Sequence, residues 1–143
     1  MKRVAALGLD VGKKRMGVAG CDGTGLIATG LTTIYRTTLA EDIRQLQEII
    51  QEREVEILVV GMPYTLDGSV GFQAKRVEKF ANKITQILKL PIEYVDERLT
   101  SVEAEARLKA SKKFSTRNKG AVDRQAAAII LQQWLDTRRT NVT

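Results

Sequence analysis

The sequence contains no histidine. This absence excludes catalytic triads built on imidazole, histidine general bases and imidazole-ligated metal sites. Any catalysis must use carboxylates, lysine, tyrosine or hydroxyl groups instead. Carboxylate oxygens are hard ligands, which suit Mg²⁺ or Mn²⁺ better than zinc or copper. A metal site in this chain is therefore expected to be of the magnesium type.

Cysteine and long apolar runs are also scarce. The single cysteine, Cys21, excludes an intramolecular disulfide and any multi-cysteine zinc site, and we expect it to be buried as a small hydrophobic residue. No stretch approaches the roughly 20 apolar residues that span a bilayer, and the first residues do not resemble a secretion signal. We expect a cytoplasmic protein with no membrane association, whose residues 1–143 form one domain.

Positive charge is in excess. The formal net charge is +6, which favours an anionic partner such as nucleic acid. The cations are concentrated, because residues 107–124 contain seven Lys or Arg and a single acid, Asp123. Within that stretch, residues 111–120 are almost free of large apolar side chains and are expected to form an exposed loop.

The apolar pattern predicts five strands. Residues 4–10, 16–21 and 26–35 are joined by short glycine-containing turns, which favour antiparallel hairpins. Residues 55–61 and 91–95 are short apolar runs, typical of strands buried in a parallel sheet.

Helical periodicity follows the third and later strands. Thr38 and Glu41 form a capping box before an amphipathic helix that runs to about Arg53. Further helices are expected over residues 77–88, 100–108 and 122–134, before a polar, frayed tail over 138–143. Trp134 is expected in the core.

These elements predict an α/β fold with one mixed five-stranded sheet and helices on both faces. Right-handed crossovers give the strand order 3-2-1-4-5, with strand 2 antiparallel to the others. In such sheets, functional sites form beyond the carboxyl ends of the parallel strands.

Acidic residues lie at these ends. Asp10 ends strand 1, and Asp96 and Glu97 follow strand 5, whereas Asp123 opens the last helix within the most basic part of the chain. Singly, each has an ordinary explanation: a strand-end Asp can organise a turn, and the helix dipole favours an acid in the first turn. Together, Asp10, Glu97 and Asp123 match the three or four carboxylates that hold one or two Mg²⁺ or Mn²⁺ ions for phosphodiester hydrolysis. Spacing alone does not decide between Asp96 and Glu97.

Several cations flank these acids and are candidate phosphate contacts, although each taken singly could be a solubilising surface charge. They are Lys13, Lys14, Arg15, Arg98, Lys112, Lys113, Arg117 and Lys119.

Four motifs in this order resemble the YqgF/RuvX family of ribonuclease-H-fold proteins. They are Gly8–Gly12 with Lys14–Ala19, Val60–Pro63 with Asp67–Ser69, Asp96–Ser101, and Val122–Asp123 with Ala126–Ala127. The resemblance covers nearly the whole chain. Within the last motif, Arg124 and Gln125 are more polar than the pair typical of the family.

The resemblance implies a ribonuclease-H-like fold and a nuclease. Members are regarded as Holliday-junction-resolvase-like, and as nucleases that mature the 5′ end of 16S ribosomal RNA. It implies that the active-site acids are Asp10, Glu97 and Asp123, and so selects Glu97 over Asp96. The implied partners are precursor ribosomal RNA or branched DNA, and ribosomal particles.

Two other interpretations remain open from the residues. Asp10 to Gly12, followed by Gly17 and Gly20, is also similar to the phosphate loop of actin-like and sugar-kinase-like ATPases, although those need two such domains. Alternatively, the chain binds RNA or ribosomes without turnover. The residues indicate no oligomeric state.

Overall fold

The computed structural model describes residues 3–97 and 119–140, and within them five strands and three helices. The strands are β1 (Ala6–Val11), β2 (Arg15–Cys21), β3 (Ala28–Tyr35), β4 (Ile57–Met62) and β5 (Ile92–Asp96). The helices are α1 (Leu39–Arg53), α2 (Phe72–Leu88) and α3 (Lys119–Thr140).

The strands form one sheet in the order β3-β2-β1-β4-β5. Strand β2 is antiparallel to β1 and β3, whereas β4 is parallel to β1 and to β5. Both the order and the strand directions predicted from the sequence are confirmed. The carboxyl ends of β1, β4 and β5 therefore lie at one edge of the fold.

The two faces of the sheet differ in side-chain size. Because side chains alternate along a strand, Leu7 and Leu9 of β1 point to one face, and Ala6, Gly8 and Asp10 to the other. Both leucines are fully buried in a cluster of large aliphatic residues shared with α1 and α2. We call this the α1/α2 face, and the opposite one, covered by α3, the α3 face.

Glycine allows α3 to lie close to the sheet. A Cβ atom added to Gly8 would lie 2.7 Å from Leu131 Cβ, and one added to Gly17 would lie 2.0 Å from the backbone oxygen of Asp123. On β3, a Cβ on Gly30 would lie 3.0 Å from Arg124 Cβ. These glycines set the distance between α3 and the sheet, since any side chain at these positions would push the helix away.

Helix α1 has the predicted cap, because the Thr38 side chain accepts a hydrogen bond from the Glu41 backbone N–H. Helix α2 begins at Phe72, earlier than the predicted Val77. Its first turn is mainly exposed, with Phe72 82% accessible, so the apolar periodicity marks only the later turns.

Helix α3 is longer than predicted at both ends. Gly120, assigned from the sequence to an exposed loop, is helical and buried, because its carbonyl accepts a hydrogen bond from the Thr33 hydroxyl at 2.6 Å. At the other end, Arg139 donates to the Gly25 carbonyl, so residues 138–140 belong to the helix and not to a frayed tail. The predicted helix over 100–108 and loop residues 111–118 lie outside the described residues.

The structure also tests the predictions for three single residues, Cys21, Trp134 and Arg124. Cys21 is buried, as expected. Trp134 is only partly buried, packing against the α3-face cluster with the Arg138 guanidinium 5.2 Å from its ring centroid. Arg124, the polar departure from the family pattern, donates to the Thr33 hydroxyl. Of the helices described, none is long and apolar enough to cross a membrane.

Candidate active site

Asp10 lies near the carboxyl end of β1 on the α3 face. Its register partner on β2 is Gly17, and on the other side β1 runs parallel to β4. Gly17 has no side chain, so the space beside Asp10 is bounded by α3 instead of by a neighbouring side chain. The Asp10 side chain is half-buried and reaches this space from a rigid central strand.

Glu97 reaches the same space from β5. It follows the last residue of that strand, Asp96, and its side chain lies over Gly61 of β4: a Cβ on Gly61 would fall 2.5 Å from Glu97 Oε1. Gly61 thus provides the gap through which the longer Glu side chain extends towards β1. The structure brings Glu97 to Asp10 as the sequence predicted.

The two carboxyl groups share a hydrogen bond, in which protonated Glu97 donates to Asp10. Burial raises the pKa of Glu97 to about 8, and the negative charge of Asp10 contributes to the same rise. Burial also raises the pKa of Asp10, partly offset by the hydrogen bond from Glu97. Two half-buried carboxylates this close cannot both ionise without a compensating cation.

Asp123 approaches the pair from α3. Its negative charge further raises the pKa of Asp10. Its carboxylate accepts a hydrogen bond from Arg15 Nε at 2.6 Å, in a partly buried ion pair. The prediction that Asp123 lies in the first helical turn is wrong: α3 is already helical at Lys119, because the turn containing Gly120 packs on β3.

The three acids do not form a ready metal cage. Within residues 3–97 and 119–140, no group of three or more Cys, Asp or Glu side chains could hold one ion together. In this arrangement Glu97 and Asp10 share a hydrogen bond, and Asp123 is bound to Arg15. The chemistry of the donors nevertheless fits a hard divalent cation, which would replace both the shared proton and the Arg15 contact.

The predicted basic contacts have different outcomes. Lys13 and Lys14 are exposed in the turn between β1 and β2. Arg15 is held by Asp123, and its side chain is 29% accessible. Only the backbone of Lys119 is described, at the start of α3. The remaining four lie outside the described residues: Arg98, Lys112, Lys113 and Arg117.

Sequence reasoning missed the support that glycine gives to the site. Gly17 and Gly61 are not ligands, but they make room for Asp123 and Glu97 respectively. The signal was present, since a glycine inside an apolar strand often marks a close backbone approach. The Arg15–Asp123 pair had no comparable signal, because 108 positions separate the two residues.

Comparison with known proteins identifies the family. The family model described as "RuvX: Holliday junction resolvase" matches residues 4–137. The chain belongs to the RuvX family. This membership removes the basis for the ATPase interpretation of the residues after Asp10.

Two curated relatives match over almost their whole length. A "Putative pre-16S rRNA nuclease" of Rippkaea orientalis is 70% identical over 139 residues, covering 97% of this chain and 100% of the relative. The protein of the same name from Crocosphaera subtropica is 66% identical, covering 99% of both chains.

Solved structures establish the fold class. The structure "T. thermophilus RuvC in complex with Holliday junction substrate" superposes with a TM-score of 0.61 at 13% identity, covering 96% of this chain and 97% of that one. The yeast mitochondrial Holliday junction resolvase gives 0.56 at 10% identity, covering 94% and 78%. The ribonuclease-H-like fold expected from the sequence is confirmed.

Proposed function

We propose that this RuvX-family chain is a divalent-metal-dependent nuclease that acts in the cytoplasm on precursor 16S ribosomal RNA. The observation that carries the proposal is the Asp10–Glu97 carboxyl pair, at the strand ends where this fold is expected to place its site. The substrate is suggested by the full-length relatives named for pre-16S rRNA.

Asp10, Glu97 and Asp123 would hold one or two Mg²⁺ or Mn²⁺ ions. When bound, such ions lower the pKa of a coordinated water and offset charge on the attacking and leaving oxygens. For this, Glu97 must give up the proton that it shares with Asp10, and Asp123 must exchange its contact with Arg15.

The basic residues beside the site would position the substrate. Lys13 and Lys14 lie three and four residues after Asp10 in an exposed turn, where their ammonium groups can contact phosphates flanking the cleaved bond. Arg15, once released from Asp123, would have a free guanidinium beside the same strand end. Arg98, Lys112, Lys113, Arg117 and Lys119 remain further proposed contacts.

The decisive experiment compares the two proposed ligands Asp10 and Glu97 with Asp96, an acid next to Glu97 that is not a proposed ligand. Purified wild type is assayed with Mn²⁺ on precursor 16S rRNA beside the Asp10→Asn, Glu97→Gln and Asp96→Asn variants. We expect Asp10→Asn and Glu97→Gln to lose cleavage by at least about a hundredfold, because the ligand charge is removed while the phosphate contacts remain. Asp96→Asn, the matched control, keeps cleavage.

Two results would contradict the proposal. If wild type does not cleave with Mg²⁺ or Mn²⁺ but still binds RNA, the chain is a binding factor without turnover. If Asp96→Asn abolishes cleavage and Glu97→Gln does not, the ligand assignment is wrong.

A DNA-junction endonuclease is the second candidate, favoured by the fold match to a RuvC structure that contains a Holliday junction. The same preparations should be assayed on a four-way DNA junction. If the junction is cleaved in preference to RNA, and the cleavage depends on Asp10, the substrate is branched DNA and not precursor rRNA.

A further inference from the structure

A second charged feature lies on the α1/α2 face, at the same strand end as Asp10. The next residue, Val11, points to the opposite side of the sheet, because consecutive strand residues alternate. On that side, Val11 lines a cavity of about 160 Å³ together with Lys13 and Phe80. Lys13 and Phe80 also line a second, adjoining cavity of about 320 Å³. We call these two cavities together the basic cleft.

The basic cleft is lined by positively charged side chains from three parts of the chain. They are Lys13, Arg36, Arg76, Lys79 and Lys83. The three on α2 recur at i, i+3 and i+7, which places them on one exposed side of that helix. Among the described residues that line either cavity, the one acid is Asp42, which is 2% accessible and paired with Arg36.

The other cations of the cleft have no acidic partner among residues 3–97 and 119–140. In the part of the chain that the structure describes, no ion pair involves Lys13 or the three α2 cations. Two exposed acids of α1, Glu41 and Glu48, bind Arg44. Four unpaired cations around one concave surface repel one another and favour a bound anion.

Arg36 gives the cleft a fixed element. Its guanidinium lies 4.5 Å from the Phe80 ring centroid, and its Nη1 donates to the Gly12 carbonyl at 2.6 Å. Its Nε also donates to Asp42 at 3.4 Å. No hydrogen bond within the described residues uses Nη2. A guanidinium held in this way loses little conformational entropy when it binds a phosphate oxygen.

We propose that the basic cleft binds the phosphodiester backbone of the nucleic-acid substrate at a distance from the cleaved bond. The substrate would pass from Asp10 around the turn containing Lys13 and continue along α2. The inference rests on the proposed function in one respect only, that the ligand is a nucleic acid. A phosphate chain fits better than a compact anion, because the α2 cations are spread over two helical turns.

The test removes two cleft cations and, as a control, two cations at the opposite end of the sheet. The test variant is Arg76→Gln with Lys83→Gln, and the control variant is Arg3→Gln with Arg138→Gln, which lie before β1 and in the last turn of α3 respectively. Binding of fluorescein-labelled single-stranded RNA of about 30 nucleotides is measured by anisotropy over a series of KCl concentrations in EDTA. Each lost phosphate contact should lower the slope of log K against log salt by about 0.7.

We expect the test pair to lower the slope by about 1.4 and to weaken binding about tenfold at 0.1 M salt, while the control leaves the slope unchanged. If the test pair melts at a lower temperature than wild type, the single variant Lys79→Gln serves in its place, with an expected slope change of about 0.7. Equal slopes for the cleft variants and wild type would overturn the proposal, as would an equal loss in the control.

A parallel titration with poly-glutamate distinguishes nucleic acid from an acidic protein. If the cleft variants lose poly-glutamate binding but keep the RNA slope, the cleft is a protein-docking surface and the proposal fails. Because binding is measured in EDTA, a chain without nuclease activity would still show the RNA effect. Conversely, if cleavage depends on Asp10 but the cleft variants keep the wild-type salt slope, the proposed function stands and only the proposal for the basic cleft fails.

Discussion

The α3 face and the α1/α2 face of the same sheet are built in opposite ways. On the α3 face, the strands present Gly8, Gly17 and Gly61, and the space they leave is filled by the helix and by acidic side chains. On the α1/α2 face, they present large aliphatic residues such as Leu7 and Leu9, fully buried against two helices. The α3 face therefore depends on glycines, which leave space, whereas the α1/α2 face depends on close packing of large aliphatic side chains.

This difference assigns most of the stability to the α1/α2 face and the chemistry to the α3 face. Large aliphatic packing supplies most of the apolar burial, whereas glycines supply none and instead allow charged groups to converge. The cost of burying those charges appears as the raised pKa values of Asp10 and Glu97. We expect substitutions on the α1/α2 face to change stability most, and those on the α3 face to change the site.

The largest expected effect on stability is on the α1/α2 face. Leu46 of α1 is fully buried in the aliphatic cluster. Leu46→Ala should lower the free energy of unfolding by about 2–5 kcal/mol, through lost burial and the cavity left behind. Urea denaturation measures the loss, and the folded fraction should keep wild-type cleavage. A loss of cleavage per folded molecule would contradict the conclusion that the α1/α2 face determines stability and the α3 face the chemistry.

The next effect is on the α3 face. In Gly17→Ala, the new Cβ would lie 2.0 Å from the Asp123 backbone oxygen, so α3 must shift. We expect a stability loss of about 1–3 kcal/mol together with a loss of cleavage, because Asp123 moves with the helix. Gly23→Ala is the control, since its Cβ would only approach Arg3 Cγ at 3.6 Å. Full activity in Gly17→Ala would show that the position of Asp123 is unimportant.

The pH dependence of the metal-free protein gives a third test. The pKa of Glu97 rises from 4.5 to about 8 on folding, so between these values the folded chain binds more protons than the unfolded one. Its stabilising contribution is therefore present at low pH and is lost as pH rises towards 8, at no more than about 1.4 kcal/mol per pH unit. Urea denaturation in EDTA between about pH 5.5 and 8.5 should show this decline, and Glu97→Gln should reduce it.

The smallest effect concerns Arg15, which competes with a cation for Asp123. Arg15→Gln should strengthen Mn²⁺ binding a few-fold, because it removes a positive charge and releases a carboxylate. Calorimetric titration with Mn²⁺ measures this, with Arg44→Gln as the control, since Arg44 pairs with Glu41 and Glu48 on the exposed surface of α1. Unchanged or weaker Mn²⁺ binding in Arg15→Gln would exclude Asp123 as a ligand.

Much of the fold could be predicted from local patterns. The apolar runs of β1 and β4 and the capping box at Thr38 each reflect neighbours within a few positions, and the structure has both strands and the cap. The start of α2 and both ends of α3 were misplaced for the opposite reason. Their terminal turns are polar in sequence, and what keeps the start of α3 helical is the distant contact between Gly120 and Thr33.

The candidate site divides in the same way. Asp10 and an acid at the end of β5 could be named because strand ends are visible in sequence and parallel strands bring those ends together. The choice of Glu97 over Asp96 comes from the family resemblance. The hydrogen bond between the Asp10 and Glu97 carboxyl groups and the ion pair between Asp123 and Arg15 could not be predicted, because both are contacts between residues remote in the chain.

The sequence by itself determined which chemistry this protein can use and where its strands end, because ligand types and side-chain alternation are local properties. Only the tertiary structure decided which charges neutralise one another. Arg15 is paired with Asp123, whereas Lys13, two positions earlier, belongs to a cleft on the other side of the sheet. The physical reason is that electrostatic interactions depend on separation and burial in space, which the order of residues does not fix.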